Sequence, residues 1–452
     1  MSPTERRATF TLGSIYALRM LGLFMILPVF ALYAENLEGV TPLLVGVAIS
    51  AYGLTQALLQ IPFGMMSDRL GRKPVIIGGL VLFAAGSVVA ATAESIHWVI
   101  VGRALQGSGA IAAAIMALAA DLTREEQRTK IMAFIGASIG AAFVIAMVGG
   151  PLLNTWIGVD GIFWLTAVLA LLGIAVVAFA VPTPAHSGLH RDAEPVPAQF
   201  ASVLRNPDLL RLDLGILTLH TILTAGFVVL PLVLRDQVGL SPDKHWMLYL
   251  PVMLLGLVAM IPMVIMAERQ GRMKTVFLGA VGVLVVSQVW MSQALHSLWA
   301  IAVGLWIFFA AFNLLEATLP SLISKTAPPD SKGTAMGVYS SSQFLGAFLG
   351  GLMGGGLHGA FGESAVYAFC AGAGLIWLLL ASGMRNPKPL KSVLLRVNVS
   401  GEGEARSLVS RLTQVSGVAE AVVVAEDGIA YLKVDSRNFD SADLAAFGAA
   451  EG

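Results

Sequence analysis

The sequence predicts an all-α membrane protein with twelve transmembrane helices in two halves of six, followed by a small C-terminal α+β domain. Of the 452 residues, 56% are hydrophobic and only 12% are Asp, Glu, Lys or Arg, about half of the ~25% charged residues that soluble domains usually carry. The charges are also unevenly placed, because residues 386–452 hold 16 of the 56 charged residues. The chain before residue 386 divides into apolar runs of about 20 residues, the length that crosses a bilayer.

These apolar runs end at charged or turn-forming residues, as spanning helices do. The predicted spans are Thr11–Ala34, Leu43–Met66, Val75–Ala93, Trp98–Ala120, Ile131–Leu153, Ile162–Val181, Leu209–Leu234, Trp246–Ala267, Val276–Gln293, Leu298–Ile323, Ala335–Leu357 and Ser364–Met384. The first span follows Arg6 and Arg7 but is too long for a signal-peptide core and has no clear small-residue cleavage site. We therefore expect it to be retained.

Lys and Arg in the connecting segments predict the orientation. With a cytoplasmic N-terminus, the inner segments carry sixteen Lys and Arg residues, whereas the outer loops carry only Arg235 and Lys244. Positive residues concentrate on the cytoplasmic side of membrane proteins. We therefore expect a multi-pass membrane protein with both termini in the cytoplasm.

A proline-rich segment divides the spans into six and six. Residues 182–208 contain five prolines, which indicates a cytoplasmic linker between an N-terminal half, 1–181, and a C-terminal half, 209–385; the C-terminal domain is 386–452. A charged motif recurs at an offset of 200 residues, at Glu268, Arg269, Gly271 and Arg272. Such a repeat is typical of transporters with a substrate site between the halves, although two hydrophobic halves can also resemble each other by chance.

The loop between the second and third spans carries the most specific signal in the chain, at Gly64, Asp68, Arg69, Gly71, Arg72 and Lys73. Gly64 permits close helix approach, and Gly71 permits a tight turn. Asp121 ends the fourth span, where the negative end of the helix dipole calls for a nearby cation, and Arg72 is the candidate. Taken singly, Arg69 and Lys73 fit equally well as ordinary positive flanks.

The pattern Gly-x-x-x-Asp-Arg-x-Gly-Arg-Lys resembles the signature loop of the major facilitator superfamily, and the resemblance covers residues 10–385. Within that superfamily the chain is similar to the drug:proton antiporters. The resemblance implies a location in the bacterial inner membrane and alternating access by rocking of two six-helix halves. It also implies that Asp68, Arg72 and Asp121 form a charge network that latches the outward-facing state.

The fifth span resembles the glycine-proline motif of antiporters in this superfamily, at Gly140, Gly149, Gly150 and Pro151. Glycines allow close packing and proline a bend. The span departs from the motif after the proline, where Leu152-Leu153-Asn154 replace a further glycine pair.

Ionisable residues inside spans are candidates for function because burying them in a membrane is costly. Arg103 and Gln106 lie in a segment that resembles the superfamily's second motif, and this resemblance implies that the Arg assists proton transfer. Glu316 has Asn313 one turn away, and burial favours the protonated form of a carboxylate. We therefore expect Glu316 to carry the proton. Alternatively, Glu316 is a structural partner of Arg19 or Arg103, or it snorkels to the interface.

Three further polar residues lie within spans. His220 could titrate near neutral pH or could be a hydrogen-bonded packing residue. Gln56 and Gln60 lie one turn apart and could line a cavity or bond to neighbouring helices.

Residues 386–452 are predicted to form strands at Ser392–Val399, Val418–Ala425 and Ile429–Asp435, with helices at Glu404–Val415 and Asp440–Phe447. The order βαββα resembles a shortened ferredoxin-like domain of the heavy-metal-associated type. That type binds metal through a cysteine pair, but here Ser400-Gly401-Glu402-Gly403-Glu404 stands in its place, so we expect no metal site. The domain is either a regulatory module or a stabilising cap.

Together these observations predict a secondary transporter that couples export of a small amphipathic molecule to proton entry, rather than an enzyme. No nucleotide-binding glycine loop is present, so we expect no cofactor and the proton gradient as energy source. The expected partners are the lipid bilayer, the substrate and protons; the zero net charge argues against nucleic acid, and we expect a monomer. Alternatives are a uniporter, a proton-coupled importer, or a membrane receptor or enzyme on this fold.

Overall fold

A computed structural model describes residues 1–184, 196–269, 271–385, 390–399, 401–425, 428–435, 438–440, 444, 447 and 449–451. Within this part of the chain the protein is mostly helical. Among the described residues, ten helices are long and apolar enough to cross a membrane. Residues 185–195 of the predicted linker and 386–389 at the predicted domain boundary lie outside the described residues.

The N-terminal half consists of α1 (Pro3–Phe24), α2 (Phe30–Ala34), α3 (Pro42–Leu70), α4 (Arg72–Ala91), α5 (Ile96–Ser108), α6 (Ala112–Asp121) and α7 (Glu125–Ala175), which continues as a π-helical turn at Val176–Ala180. The first and fourth predicted spans are therefore each interrupted. Pro28 lies in the first break and removes a backbone donor. Gly109 lies in the second, where the backbone oxygen of Gly79 approaches so closely that a Cβ would be only 2.2 Å from it.

The fifth and sixth predicted spans are two limbs of α7, joined at Gly158. This glycine has φ +68°, a conformation that side chains other than glycine rarely adopt. Arg124 before the first limb bonds to Glu5, and Arg7 bonds to the carbonyl of Ala180 after the second. Both ends of α7 therefore lie beside the start of α1, so the limbs run antiparallel.

The predicted linker contains one short helix, α8 (Phe200–Leu204). The C-terminal half consists of α9 (Pro207–Asp236), α10 (His245–Arg269), α11 (Met273–Gln293), α12 (Leu298–Thr326), α13 (Lys332–Phe361) and α14 (Glu363–Ser382). Side-chain caps fix two of the starts. Asn206 accepts from the amides at the start of α9, and Ser297 accepts from the amide of Ala300 at the start of α12.

The two halves meet mainly where α3 and α13 cross. We call the end of the bundle that holds residues 68–72 the motif end, and the end where α3 begins the opposite end. A Cβ on Gly46 would lie 2.0 Å from the carbonyl oxygen of Gly351, and one on Gly355 would lie 2.3 Å from that of Pro42. These small residues let the backbones touch, which closes the bundle between its middle and the opposite end.

The C-terminal domain contains β1 (Leu390–Arg396), α15 (Glu402–Leu412), β2 (Val418–Val424), β3 (Ile429–Asp435) and β4 (Ala449–Glu451). The sheet is antiparallel with the order β2-β3-β1-β4. Leu395, Leu412 and Leu432 form its core.

The fourth strand corrects the predicted βαββα order. Ala450 pairs with Leu395 of β1, so β4 satisfies the backbone groups on the free edge of that strand. Its sequence, Ala-Ala-Glu, has neither the alternation nor the β-branched residues that announce a strand. Most of the predicted second helix, 440–447, lies outside the described residues, as do Ser400 and the hairpin residues 426–427.

Candidate transport site and conformational motif

The signature loop forms a charge network between α3, α4 and α6. Arg72 makes an ion pair with Asp68, donates from Nη1 to the hydroxyl of Ser67 at 2.8 Å, and donates from Nε to Oδ2 of Asp121 at 3.2 Å. The Asp121 side chain is fully buried and that of Arg72 almost so. The pairing predicted between Arg72 and Asp121 is therefore present.

Helix dipoles explain why both carboxylates are needed. Arg72 is the first residue of α4 and Asp121 the last of α6, so each charge lies at the unfavourable end of its helix. Pairing the two, with Asp68 as second anion, compensates both and satisfies the buried guanidinium. All three residues belong to the N-terminal half, so the network fixes the mutual positions of its helices.

The other motif residues have distinct places. Gly64 is buried, Gly71 turns the chain with φ +93°, and the Arg69 side chain is exposed. Lys73 donates to the carbonyl oxygen of Val181 at 2.7 Å and to the hydroxyl of Thr183, so it ties α4 to the end of the α7 segment. This contact gives Lys73 a specific role within the half.

The repeated motif at residues 268–272 has the same backbone turn as the first motif. Gly271, like Gly71, has a positive φ, here +65°, and Arg272 precedes α11 with its side chain exposed. The side chains of Glu268 and Arg269 lie outside the described part of the chain. The backbone turn is therefore repeated in the second half.

Arg103 lies in the interior of the N-terminal half, at 1% exposure. Its Nη1 donates to Oε1 of Gln106 at 2.8 Å, and its Nη2 donates to the carbonyl oxygen of Ile49 at 3.0 Å. Gln106 in turn donates to the hydroxyl of Ser87. The second-motif pair thus links α5 to α3 and α4.

Arg19 forms a second polar chain in the same half. Its Nη2 donates to Oε1 of Gln56, and Nε2 of Gln56 donates to Oε1 of Gln60 at 3.0 Å. All three side chains are buried. The two glutamines therefore bond to one another and to a buried charge.

Tyr52 joins the two arginines and was not identified from the sequence. The guanidinium carbons of Arg19 and Arg103 lie 5.5 and 5.4 Å from its ring centroid, within the range of cation–π attraction. Its position one turn before Gln56 on α3 is the sequence signal that could have suggested it. Tyr52 also lies 6.2 Å from the ring of Phe344 on α13, so it contacts both halves.

Glu316 lies beside His220 in the C-terminal half. Oε1 of Glu316 is 3.3 Å from Nε2 of His220, and Nε2 of Gln343 is 2.9 Å from the same nitrogen. Phe312, one turn before Glu316, lies 5.9 Å from the imidazole. Three helices, α9, α12 and α13, thus bring one acid, one imidazole and one amide together.

This arrangement bears on the predicted pairing of Glu316 with Arg19 or Arg103. Among the described contacts, Glu316 is close to His220, whereas Arg19 and Arg103 bond to partners within their own half. His220 belongs to this polar cluster, and its Nδ1 lies 3.3 Å from the carbonyl oxygen of Ile216, so both predicted roles, a titrating group and a hydrogen-bonded packing residue, fit its position. Asn313 is half-buried on the same helix as Glu316.

Aromatic side chains lie between the two polar groups. The Phe143 ring of α7 is 6.1 Å from that of Phe312 and 6.3 Å from that of Phe309, both on α12. The middle of the bundle therefore has buried cations in one half, an acid and an imidazole in the other, and aromatic rings at the junction.

The helix-five glycines differ in their surroundings. A Cβ on Gly150 would lie 2.5 Å from the carbonyl oxygen of Met25, whereas Gly140 and Gly149 have no described atom within 4 Å of that position. The predicted close packing is therefore found at Gly150, beside Pro151 in α7.

Comparisons with known proteins identify the class and then the family. Two helical halves joined by close small-residue packing, with buried charges at mid-bundle, define a membrane transporter fold. The Major Facilitator Superfamily model matches residues 12–350 and 227–419, and the chain belongs to this family. Its members are transporters rather than enzymes, as the sequence predicts.

The chain is 48% identical over 438 residues to the inner membrane transport protein YajR of Escherichia coli, covering 97% of this chain and 96% of the relative. It is 26% identical over 349 residues to the multidrug resistance protein MdtH of Aeromonas hydrophila, covering 75% and 84%. Among solved structures, a bacterial homologue of the human lysosomal transporter Spinster matches with TM-score 0.69 at 12% identity, over 84% of this chain and 96% of that one.

Proposed function

We propose that the protein is a proton-coupled transporter of the bacterial inner membrane that exports a small amphipathic compound by alternating access. The observation that carries the proposal is the contact of Glu316 with His220, two titratable groups 3.3 Å apart at mid-bundle. A buried acid beside an imidazole can bind and release protons as its surroundings change. The names of the relatives YajR and MdtH, an inner membrane transport protein and a multidrug resistance protein, support transport and export.

Protonation of Glu316 explains how substrate transport is coupled to proton movement. When Glu316 is ionised, its charge is offset by a protonated His220 or by a cationic group of the substrate; when it is protonated, the substrate loses this attraction. Substrate binding and proton binding at Glu316 are then mutually exclusive, so proton entry can drive export of the substrate. The aromatic rings of Phe143, Phe309 and Phe312 beside the pair suit an amphipathic molecule with an apolar body.

We further propose twelve membrane crossings with both termini in the cytoplasm. The antiparallel limbs of α7 supply two crossings, and the pairs α1–α2 and α5–α6 each supply one. The excess of Lys and Arg in the loops of the motif end supports a cytoplasmic location for that end. On this topology the closed opposite end faces outward.

Reconstituted protein in liposomes with an internal pH dye tests the proposal. Lipophilic cations, sugars and small anions are added in turn under an imposed proton gradient. We expect proton movement with one class of compound and its loss in Glu316→Gln. Glu94→Gln, an exposed carboxylate between α4 and α5, is the matched control and should behave as the unmodified protein. Substrate-driven proton movement that persists in Glu316→Gln contradicts the role of Glu316.

A further inference from the structure

Asp213 on α9 is a second buried acid in the C-terminal half. Its side chain is about 5% exposed, and no donor among the described residues bonds to either of its carboxylate oxygens. It precedes His220 by seven residues, or two helical turns, so both lie on the same face of α9. Asp213 therefore lies in the interior of the C-terminal half, on the side of α9 that carries His220 of the Glu316–His220 pair.

Tyr339 on α13 is a second buried polar residue in this interior. Its hydroxyl makes no hydrogen bond to the described residues, and α13 packs directly on α9, where the Thr221 hydroxyl donates to the carbonyl oxygen of Gly346 at 3.1 Å. Tyr339 precedes Gln343 by one turn, and Gln343 contacts His220. The residues therefore form two levels, with Glu316, His220 and Gln343 at mid-bundle and Asp213 and Tyr339 nearer the motif end.

The remaining ionisable groups near this part of α9 are elsewhere engaged or distant. Arg211 pairs with Asp208 at 2.8 Å. Lys325 and Lys332 lie at the motif ends of α12 and α13. Cys370 and Tyr367 of α14 lie beside Ile222 and Gly226, beyond His220 along α9, and α8 carries no titratable residue.

An ionised carboxylate that is buried without a donor or a cation is far more costly than a neutral one. Asp213 has neither within the described residues, so the low-energy form in this conformation is the protonated acid. Asp213 also lies six residues after the first residue of α9, about 9 Å from the motif end of that helix. A proton on Asp213 is therefore held between mid-bundle and the motif end.

We propose that Asp213 is a second proton carrier, which exchanges its proton with Glu316 through the hydroxyl of Tyr339. This inference rests on the proposed function. These groups make no hydrogen bonds to one another in this conformation, so the exchange requires a movement that brings both acids to the Tyr339 hydroxyl. The protonated Asp213 then donates to the Tyr339 oxygen while the Tyr339 hydroxyl donates to the Glu316 carboxylate. One O–H bond breaks and one forms at Tyr339, which stays neutral, and the negative charge moves from Glu316 to Asp213. The proton path thereby connects the mid-bundle site with the motif end.

Infrared titration of the full-length protein tests this without a substrate. Difference spectra between acidic and alkaline pH, in the C=O stretching region of protonated carboxyl groups, should contain bands from two buried acids. Asp213→Asn should remove one band and shift the titration of the other, because a neighbouring charge has been removed. Asp208→Asn, on the same helix and paired with Arg211, is the control and should leave both bands unchanged.

Tyr339→Phe tests the path itself and keeps both acids in place. Both infrared bands should remain, while proton uptake after a rapid pH jump, followed with a pH dye, should slow about tenfold or more. The proposal is overturned if Asp213→Asn leaves the two bands and the uptake rate unchanged, or if Tyr339→Phe takes up protons at the original rate.

The same data separate this inference from the proposed function. If Glu316→Gln retains substrate-driven proton movement, the proposed function fails while the Asp213 band remains. If Asp213→Asn neither removes an infrared band nor shifts the titration of the other, but Glu316→Gln abolishes coupling, the inference fails and the proposed function stands.

Discussion

Arg235 at the end of α9 holds Glu35 just after α2 by two hydrogen bonds, of 2.6 and 2.8 Å, and so ties the two halves at the opposite end of the bundle. The residues are 200 positions apart, the offset at which the charged loop recurs. The bond therefore joins related ends of the two repeats, where an opening motion would separate them. Arg235 also pairs with the adjacent Asp236, which keeps its guanidinium oriented.

Glu35→Gln should loosen this end. The pair is partly exposed, so the loss is about 1 kcal/mol or less, up to a fivefold change in the ratio of closed to open molecules. Spin labels on Asn36→Cys and Lys244→Cys, both exposed on different halves, in a Cys370→Ala background, should report longer distances in the variant. Exchanging the charges, with Glu35→Arg and Arg235→Glu together, should restore the original distances; identical distances in Glu35→Gln would contradict a gating role.

The contact of Gly46 with Gly351 should be a stronger determinant of the same closure. Gly46→Ala places a methyl group 2.0 Å from a backbone oxygen, so α3 and α13 must separate, at about 1–3 kcal/mol. The same spin-label pair should therefore report a larger shift than in Glu35→Gln. Gly282→Ala in α11 has no described atom within 4 Å of the added methyl and should leave the distances unchanged. An unshifted distance in Gly46→Ala would mean that the opposite end is not closed by this contact.

The local features of the chain could be predicted from sequence, because each depends on neighbouring residues. The apolar runs, the turn at Gly71 and the pairing of Arg72 with Asp121 follow from hydropathy, backbone freedom and helix dipoles. Contacts that depend on how helices are rotated against one another could not be predicted. The pairing of Glu316 with His220 and the place of Tyr52 between two arginines are of this kind.

Asp213 was missed for a different reason. It lies near the start of a predicted span, where a carboxylate resembles an ordinary flanking charge. Its spacing of seven residues from His220 can be read from the sequence, but only the packing of α13 on this face of α9 shows that it is buried.

The fourth strand, β4, was missed because its composition does not indicate a strand. It forms because β1 supplies the backbone pairing.

Asp121→Asn should destabilise the motif end. The substitution removes the Asp121 charge from the buried guanidinium of Arg72, which keeps its ion pair with Asp68, and breaking a buried pair costs about 3–5 kcal/mol. Thermal unfolding of the purified protein should show a clearly lower Tm. Arg69→Gln removes an exposed charge of the same motif and should change the stability by about 0.5 kcal/mol or less. Equal Tm values for the two variants would remove the structural role of the network.

Glu5 should make the stability of the N-terminal half depend on acid pH. The hydrogen bond from the Arg124 side chain, with backbone bonds from Ser2 and Arg124, lowers the pKa of this carboxyl from 4.5 to about 2. Because the folded pKa is the lower one, the stabilisation is complete above about pH 4.5 and is lost as the pH falls toward 2. Glu5→Gln should lower the Tm at neutral pH, and the difference should shrink below pH 4.5. Glu402→Gln, whose partner Arg406 is largely exposed, should show no such trend, and a constant difference for Glu5→Gln would contradict the linkage.

Lys433 should hold the C-terminal domain against the transport helices. Its side chain is 4% exposed, and its Nζ donates to the carbonyl oxygen of Lys325 in the last turn of α12 at 2.8 Å. Burial lowers the pKa of Lys433, while Glu420, 3.7 Å away, acts in the opposite sense. A cation at the carboxyl end of a helix also interacts favourably with its dipole. Because α12 carries Glu316, a docked domain restrains the helix that holds the proposed proton site.

Lys433→Met keeps the length of the side chain but removes its charge and donor. We expect faster hydrogen exchange at residues 325–331 and easier protease release of the C-terminal domain, with the domain itself still folded because its core does not contain Lys433. Arg406→Gln on the exposed face of α15 should change neither. If exchange at 325–331 is unaffected, the domain does not restrain α12; if exchange rises and substrate-driven proton movement changes with it, the domain regulates transport through this contact rather than acting as a passive cap.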